Sequence, residues 1–235
     1  MTQTEHISKQ FDADLERLRA SVLQMGGLVE QQIEQALHAL TSGDIRLADQ
    51  VVEKDHHVNA LEIAIDEDCN HIIARRQPAA GDLRMVMTVV KLITDLERIG
   101  DEADKIARMA KMIHTSERLY TPRLADINHV ANLALDMLRK ALDAFARLDT
   151  TAAVALLRQD EHVDEAYRAI LRQLLTFMME DPRTISASLE ILFIAKAIER
   201  IGDHSKNMAE YIIYLVKGKD VRHVSLEQIE KDASL

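Results

Sequence analysis

The chain is 235 residues long, 47% hydrophobic and 29% charged, with a formal net charge of −10. Nucleic acids are bound by clustered Lys and Arg that displace counterions, and the sequence has no basic block, which argues against such a partner. Seven Gly, three Pro, no Trp and 3% aromatic residues leave a composition of helix formers, and no apolar run approaches the roughly 20 residues that span a bilayer.

The first twenty residues, MTQTEHISKQFDADLERLRA, carry acids and no apolar segment of the kind that opens a secretory signal. Cys69 is the single cysteine, so an internal disulfide and a cysteine-based zinc ribbon are excluded and a reducing compartment fits. A cytoplasmic protein is expected.

In chain order, long helical patterns break at TSGD (41–44), RQPAAGD (76–82), SERLYTPR (116–123), RLDTT (147–151) and EDPRT (180–184). Pro78, Pro122 and Pro182 all fall in these breaks, where a missing N–H and a fixed φ stop a helix. Six helices result, several of them about 30 residues or roughly 45 Å long. The fold class is all-α.

The second predicted helix carries Val51, Val58, Leu61, Ile65 and Ile72 on one face. The third carries Val89, Leu92, Leu96, Ile99, Ala103, Ile106, Ala110 and Ile113, stepping by three and four as a bundle seam does. Both recur. Shifted by 105, the second helix reads Leu156, Val163, Ala166, Ile170 and Phe177; shifted by 102, the third reads Ile191, Ile194, Ile198, Ile201, Ser205, Met208, Ile212 and Leu215. The architecture expected is two tandem three-helix bundles, over residues 1–118 and 123–218, followed by a C-terminal tail over 219–235.

Glu-Arg-Ile-Gly-Asp is spelled twice, at 97–101 and 199–203, although the seam around it has been rewritten. In the seam register Glu97, Asp101 and Asp104 fall at outward positions, and like charges at i, i+4 destabilise a helix by a few tenths of a kcal/mol. The second helix of each unit supplies Asp55 with Asn59 and Asp160 with Asp164, also at i, i+4, on the polar side of the seam. Such oxygen clusters suit Mg²⁺, Mn²⁺ or Fe rather than a thiolate-seeking metal. The competing reading is a solvated acidic face with Arg98 and Arg200 as counter-charges. Gly100 and Gly202, inside helices, signal either close approach of a neighbour or a simple helix crossing.

Glu53 and His56 have the Glu-x-x-His spacing of di-iron bundles, but they lie outside the Val51/Val58 seam and the second unit has Arg158 and Glu161 instead. His57 and His162 are equivalent positions, expected at the surface, with a contribution to a metal site as the less favoured reading. No nucleophile with its base and no glycine-rich phosphate loop is present, which leaves a metal-dependent enzyme on the carboxylates as the less favoured rival to a binding protein.

The ordered stretches IIARRQPAAGDLR (72–84), LERIGDEADKI (96–106), MEDPRTI (179–185), IERIGDHSKNMAEYI (198–212) and YLVKGKDVRHV (214–224) resemble the PhoU family over nearly the whole chain. The resemblance implies a non-enzymatic cytoplasmic negative regulator of phosphate uptake and of the phosphate-starvation response. It would be peripheral to the inner membrane through its partners, linking the ATPase subunit of a phosphate ABC transporter to a membrane sensor histidine kinase. It further implies a homodimer and cations (Mg, Mn, Fe or Zn) held by the acidic motifs. Carried onto this chain, one site would use Asp55, Asn59, Glu97, Asp101 and Asp104. The other would use Asp160, Asp164, Glu199 and Asp203, with Lys206 in place of the Asp104 carboxylate and Asn207 as a further oxygen ligand. A purely structural adaptor remains the alternative.

Overall fold

The computed structural model describes residues 9–115 and 124–233. Six long helices carry the fold: α1 (Lys9–Ser42), α2 (Ile45–Arg76), α3 (Ala80–Thr115), α4 (Ala125–Arg147), α5 (Thr150–Glu180) and α6 (Ile185–Lys217). A short α7 (Leu226–Ala233) lies in the tail and packs on α5, an element the sequence pattern did not reveal. The predicted break at 116–123, with Pro122 and the division between the two bundles, lies outside the described residues.

The other four breaks are turns with identifiable stops. Asp44 and Asp149 occupy equivalent places as N-caps of α2 and α5: the Asp44 carboxylate accepts from the Leu47 N–H, and that of Asp149 from the Thr151 and Ala152 N–H groups. The residue before each is left-handed, Gly43 at φ 74° and Leu148 at φ 53°, so one turn is written with two different residues. Asp181 closes α5 and caps a 3-10 turn at Pro182–Thr184. Gly218, at φ 71°, ends α6.

Helices α1, α2 and α3 pack against one another, as do α4, α5 and α6, and the two sets meet chiefly through α3 against α6. The predicted seams form this core. Every α3 seam residue from Val89 to Ala110 is buried, as is every α6 seam residue from Ile191 to Leu215. In α2 and α5, Val51, Val58, Ile65, Ile72, Leu156, Val163 and Ile170 are buried with them, while Leu61 and Ala166 are partly covered. At roughly 25 cal/mol per Å² these apolar faces are the main favourable term in holding the bundle together.

The α3–α6 interface is polar at its centre. Asp95 of α3 accepts from His204 Nδ1 (2.7 Å) and from Asn207 Nδ2 (3.4 Å) of α6, and Arg200 of α6 meets Glu102 of α3 at 2.8 Å. Further along, Lys91 stands over the rings of Tyr211 (5.2 Å) and Tyr214 (5.5 Å). Partners thus run down α6 as they run up α3, which makes the two helices antiparallel. Asp95, Glu102 and His204 are all buried.

Candidate metal centre

Gly100 lets α2 and α1 come close to the first Glu-Arg-Ile-Gly-Asp stretch. A Cβ placed there would lie 3.3 Å from Gln32 Oε1, 3.4 Å from Val58 Cγ1 and 3.6 Å from Asp55 Oδ1. The notch therefore sets a carboxylate of α2 and an amide of α1 directly beside the acids of α3. Gly202 makes the equivalent notch in α6, where a Cβ would meet Val163 (3.2 Å) and Met137 Sδ (3.7 Å).

The acids of α3 do not all face outward, as their heptad positions suggested. Asp101 is exposed, but Glu97 and Asp104 are half-buried, turned into the groove that α3 forms with α2. Heptad position fixes the angle from the seam; it does not say on which flank the neighbouring helix lies. Asp55, Asn59 and Glu62 of α2 are likewise half-buried. Glu53, His56, His57 and His162 are exposed.

Crowding of like charge is visible in the acidities. Burial, then the neighbouring Asp104 and Asp101 carboxylates, push the Asp55 carboxyl above its ordinary range. Burial, then Asp101 and Glu62, do the same to Glu97, and burial, then Asp104 and Glu102, to Asp101. Burial also raises Glu62, whose neighbours include Asp66 and Asp101.

Hydrogen bonding is incomplete in this groove. Asn59 donates to Asp55 Oδ2 at 3.3 Å, and Arg108 Nε reaches Asp104 Oδ2 at 2.6 Å. Asp55 Oδ1, Asn59 Oδ1, Asp104 Oδ1 and both polar atoms of Gln32 are buried with no hydrogen-bond partner. Gln32 is only 3% exposed. Buried oxygens without a proton donor cost about 1–3 kcal/mol each, and a hard cation is the species that satisfies several lone pairs at once. The donor set therefore fits such an ion. Among the described residues no three His, Cys, Asp or Glu side chains are gathered as a preformed metal centre, so carboxylate rotamers would have to turn inward to hold a cation.

The second groove, between α6 and α5, has a different balance. Lys206 Nζ sits 2.6 Å from Asp160 Oδ2, Arg168 bonds Asp164 at 3.0 Å, and Lys196 pairs with Glu199. Asp203 has no such partner; burial, then Glu199 and Asp160, push its carboxyl up to about 6. Asn207 is turned towards α3, where it donates to Asp95. The structure thus brings Asp160, Asp164, Glu199 and Asp203 together and leaves Asn207 in the α3–α6 interface.

Arg200 lines one depression with Asp101, Asp104 and Arg108 and another with Asp203, Lys206 and Glu210. Arg200, paired with Glu102, thus stands between Asp101 and Asp104 of the first repeat and Asp203 of the second. Gln32 and Glu62 are the residues that sequence reasoning missed. Glu62 lies three residues beyond Asn59, a spacing that would have shown it, although its counterpart in the second repeat is Tyr167.

The PhoU domain matches the sequence twice, over residues 22–110 and 127–212. The chain belongs to the PhoU family. It is 49% identical over 227 residues to the phosphate-specific transport system accessory protein PhoU of Escherichia coli (strain K12), covering 97% of this chain and 93% of that one. It is 48% identical over 230 residues to the PhoU homolog of Pseudomonas aeruginosa, covering 97% and 94%. The crystal structure of PhoU from Pseudomonas aeruginosa superposes with a TM-score of 0.85 at 48% identity, over 89% of this chain and 100% of that one. The phosphate transport system regulatory protein PhoU from Streptococcus pneumoniae superposes with a TM-score of 0.83 at 31% identity, over 90% and 99%. Each PhoU domain carries one of the acidic grooves. No helix among the described residues is long and apolar enough to cross a membrane.

Proposed function

We propose that the chain is a non-enzymatic negative regulator of phosphate uptake and of the phosphate-starvation response. It acts as a metal-binding scaffold between the ATPase subunit of a phosphate ABC transporter and a sensor histidine kinase. The observation that carries the reading is the match to phosphate-specific transport accessory proteins along 97% of the chain. A cation held by Asp55, Asn59, Glu97, Asp101 and Asp104 would supply positive charge that neutralises the α2–α3 groove and stiffens it.

Two features favour a docking protein over an enzyme. At the α5–α6 end, Leu175, Met179, Ile185, Leu189 and Phe193 are exposed, Met179 by 85% and Phe193 by 54%, which is the mark of a protein-binding patch. Among the described residues the one Asp–His pair, Asp95 with His204, is buried between α3 and α6, and His204 Nε2 has no hydrogen-bond partner, so no nucleophile is set against it. Regulation then requires that the scaffold bind the two states of its partner with different affinity.

The test is capture of tagged chain from phosphate-replete cells, with Met179→Glu/Phe193→Glu as the variant. The wild type should bring down the transporter ATPase and the kinase, the variant should lose the ATPase at an unchanged melting temperature, and reporter expression should rise. Capture of neither protein by the wild type overturns the scaffold. Elemental analysis of the same wild-type sample separates a metal-loaded scaffold from a purely structural adaptor, which would carry no metal above a buffer control.

A further inference from the structure

The two grooves are repeat-related, so every residue of one has a counterpart in the other, at a shift of 105 for α2 and α5 and of 102 for α3 and α6. Asp55, Glu97 and Asp101 are kept as Asp160, Glu199 and Asp203. What surrounds them is exchanged: Asp104 becomes Lys206, Gln32 becomes Met137 and Glu62 becomes Tyr167. The first two exchanges remove an oxygen ligand, and the first puts an ammonium in its place; the third trades a carboxylate for a phenol, while Asn59 becomes Asp164, whose carboxylate is taken by Arg168.

Hydrogen bonding follows the exchange. The first groove holds buried, unpartnered oxygens on Asp55, Asn59, Asp104 and Gln32; of the cations Arg98, Lys105, Arg108 and Arg200 beside it, only Arg108 bonds one of these acids, at Asp104 Oδ2. The second has no carboxylate oxygen buried without a partner among the described residues. Its Asp160, the counterpart of Asp55, takes Lys206 Nζ at 2.6 Å, Asp164 and Glu199 are bonded to Arg168 and Lys196, and Asp203 is the acid left without a bonded cation. A lysine ammonium and a divalent ion want the same lone pairs, so a groove already closed by one discriminates against the other.

We propose that the two PhoU domains are not equivalent: the α2–α3 groove takes the divalent cation, and in the α5–α6 groove Lys206 is a covalently attached substitute for it. This rests on the metal-binding reading above and refines it. It makes metal response a property of the first half of the chain, while the second groove keeps the same shape whether metal is present or absent.

The experiment is Mn²⁺ titration of the metal-stripped full chain, read as bound ion per chain and as the shift in melting temperature. Wild type should show one class of tight site. Asp101→Asn should weaken that class by about ten- to a hundredfold, Asp203→Asn should leave it unchanged, and Lys206→Asp should add a second class. Lys206→Met serves as the milder variant if added acid unfolds the chain, and should also raise the uptake. Equal loss in Asp101→Asn and Asp203→Asn, or no gain on removing the Lys206 ammonium, overturns the asymmetry while leaving metal binding intact. No uptake by the wild type overturns metal binding itself and the assignment with it.

Discussion

Asp95 and His204 lie 109 positions apart in sequence and meet at 2.7 Å, each buried, as the hinge-pin of the contact between α3 and α6. Asp95 also holds Asn207, and Arg98 stands 3.9 Å away. Asp95→Ala strips His204 Nδ1 and Asn207 of their acceptor in a dry interface, so it should destabilise the chain by about 2–3 kcal/mol. Urea unfolding followed by circular dichroism measures this, and Asp95→Asn, which keeps an acceptor oxygen, should cost clearly less.

Asp203 makes stability depend on pH. Its folded pKa, about 6, lies above that of the unfolded chain, so its contribution is fully present below about pH 4 and is lost as pH rises through 6. Metal-free protein should lose this stability between about pH 4 and 6, and Asp203→Asn should flatten that slope. At pH 7.5 the variant should be the more stable by roughly 1 kcal/mol, a figure reduced for the solvent that still reaches a half-buried group. Urea midpoints at three pH values decide it.

Two glycines inside helices should respond oppositely to alanine. Nothing lies within 4 Å of a Cβ at Gly27, in the exposed middle of α1, so Gly27→Ala should stabilise by up to about 1 kcal/mol through helix propensity. At Gly100 the new methyl would press on Gln32 and Val58 at 3.3 and 3.4 Å. Gly100→Ala should therefore lose about 1 kcal/mol despite its propensity, and should weaken Mn²⁺ binding because Asp55 is displaced with them. Thermal melts with and without Mn²⁺ test both.

Gln32→Met installs in the first domain the residue its counterpart position carries. A buried amide with neither atom bonded is replaced by apolar volume, so the metal-free chain should gain about 1 kcal/mol. Mn²⁺ affinity should fall in the same variant. A gain in stability together with unchanged affinity would remove Gln32 from the groove's ligand set.

The sequence made the seams readable because apolar residues at three- and four-residue spacing have few alternatives to burial: Leu92, Leu96 and Ile99 of α3 and Ile194, Ile198 and Ile201 of α6 are all covered. The turns were readable through Asp44, Asp149 and Pro182. What escaped was the side of each helix away from its own seam. Asp95, Glu102 and His204 look like surface residues in sequence, yet α3 and α6 bury them against each other, and charge alone does not say which partner is waiting. The same gap hid Gln32, a lone polar residue on α1 that belongs to the groove only because Gly100 lets it near. Helix α7 was invisible for a simpler reason: eight residues carry too little periodicity to stand out.

The pairing of α3 with α6 has a consequence for how such a chain can be reassembled. At the repeat spacing, the counterparts of His204 and Asn207 are Glu102 and Lys105, and the counterpart of Asp95 is Ala197. Two copies of the first half would set Asp95 against a glutamate, and two copies of the second would offer His204 an alanine. Having begun as duplicates, the halves have become left and right hands: each fits the other and neither fits itself, so swapping in a second copy of either would fail to rebuild the join.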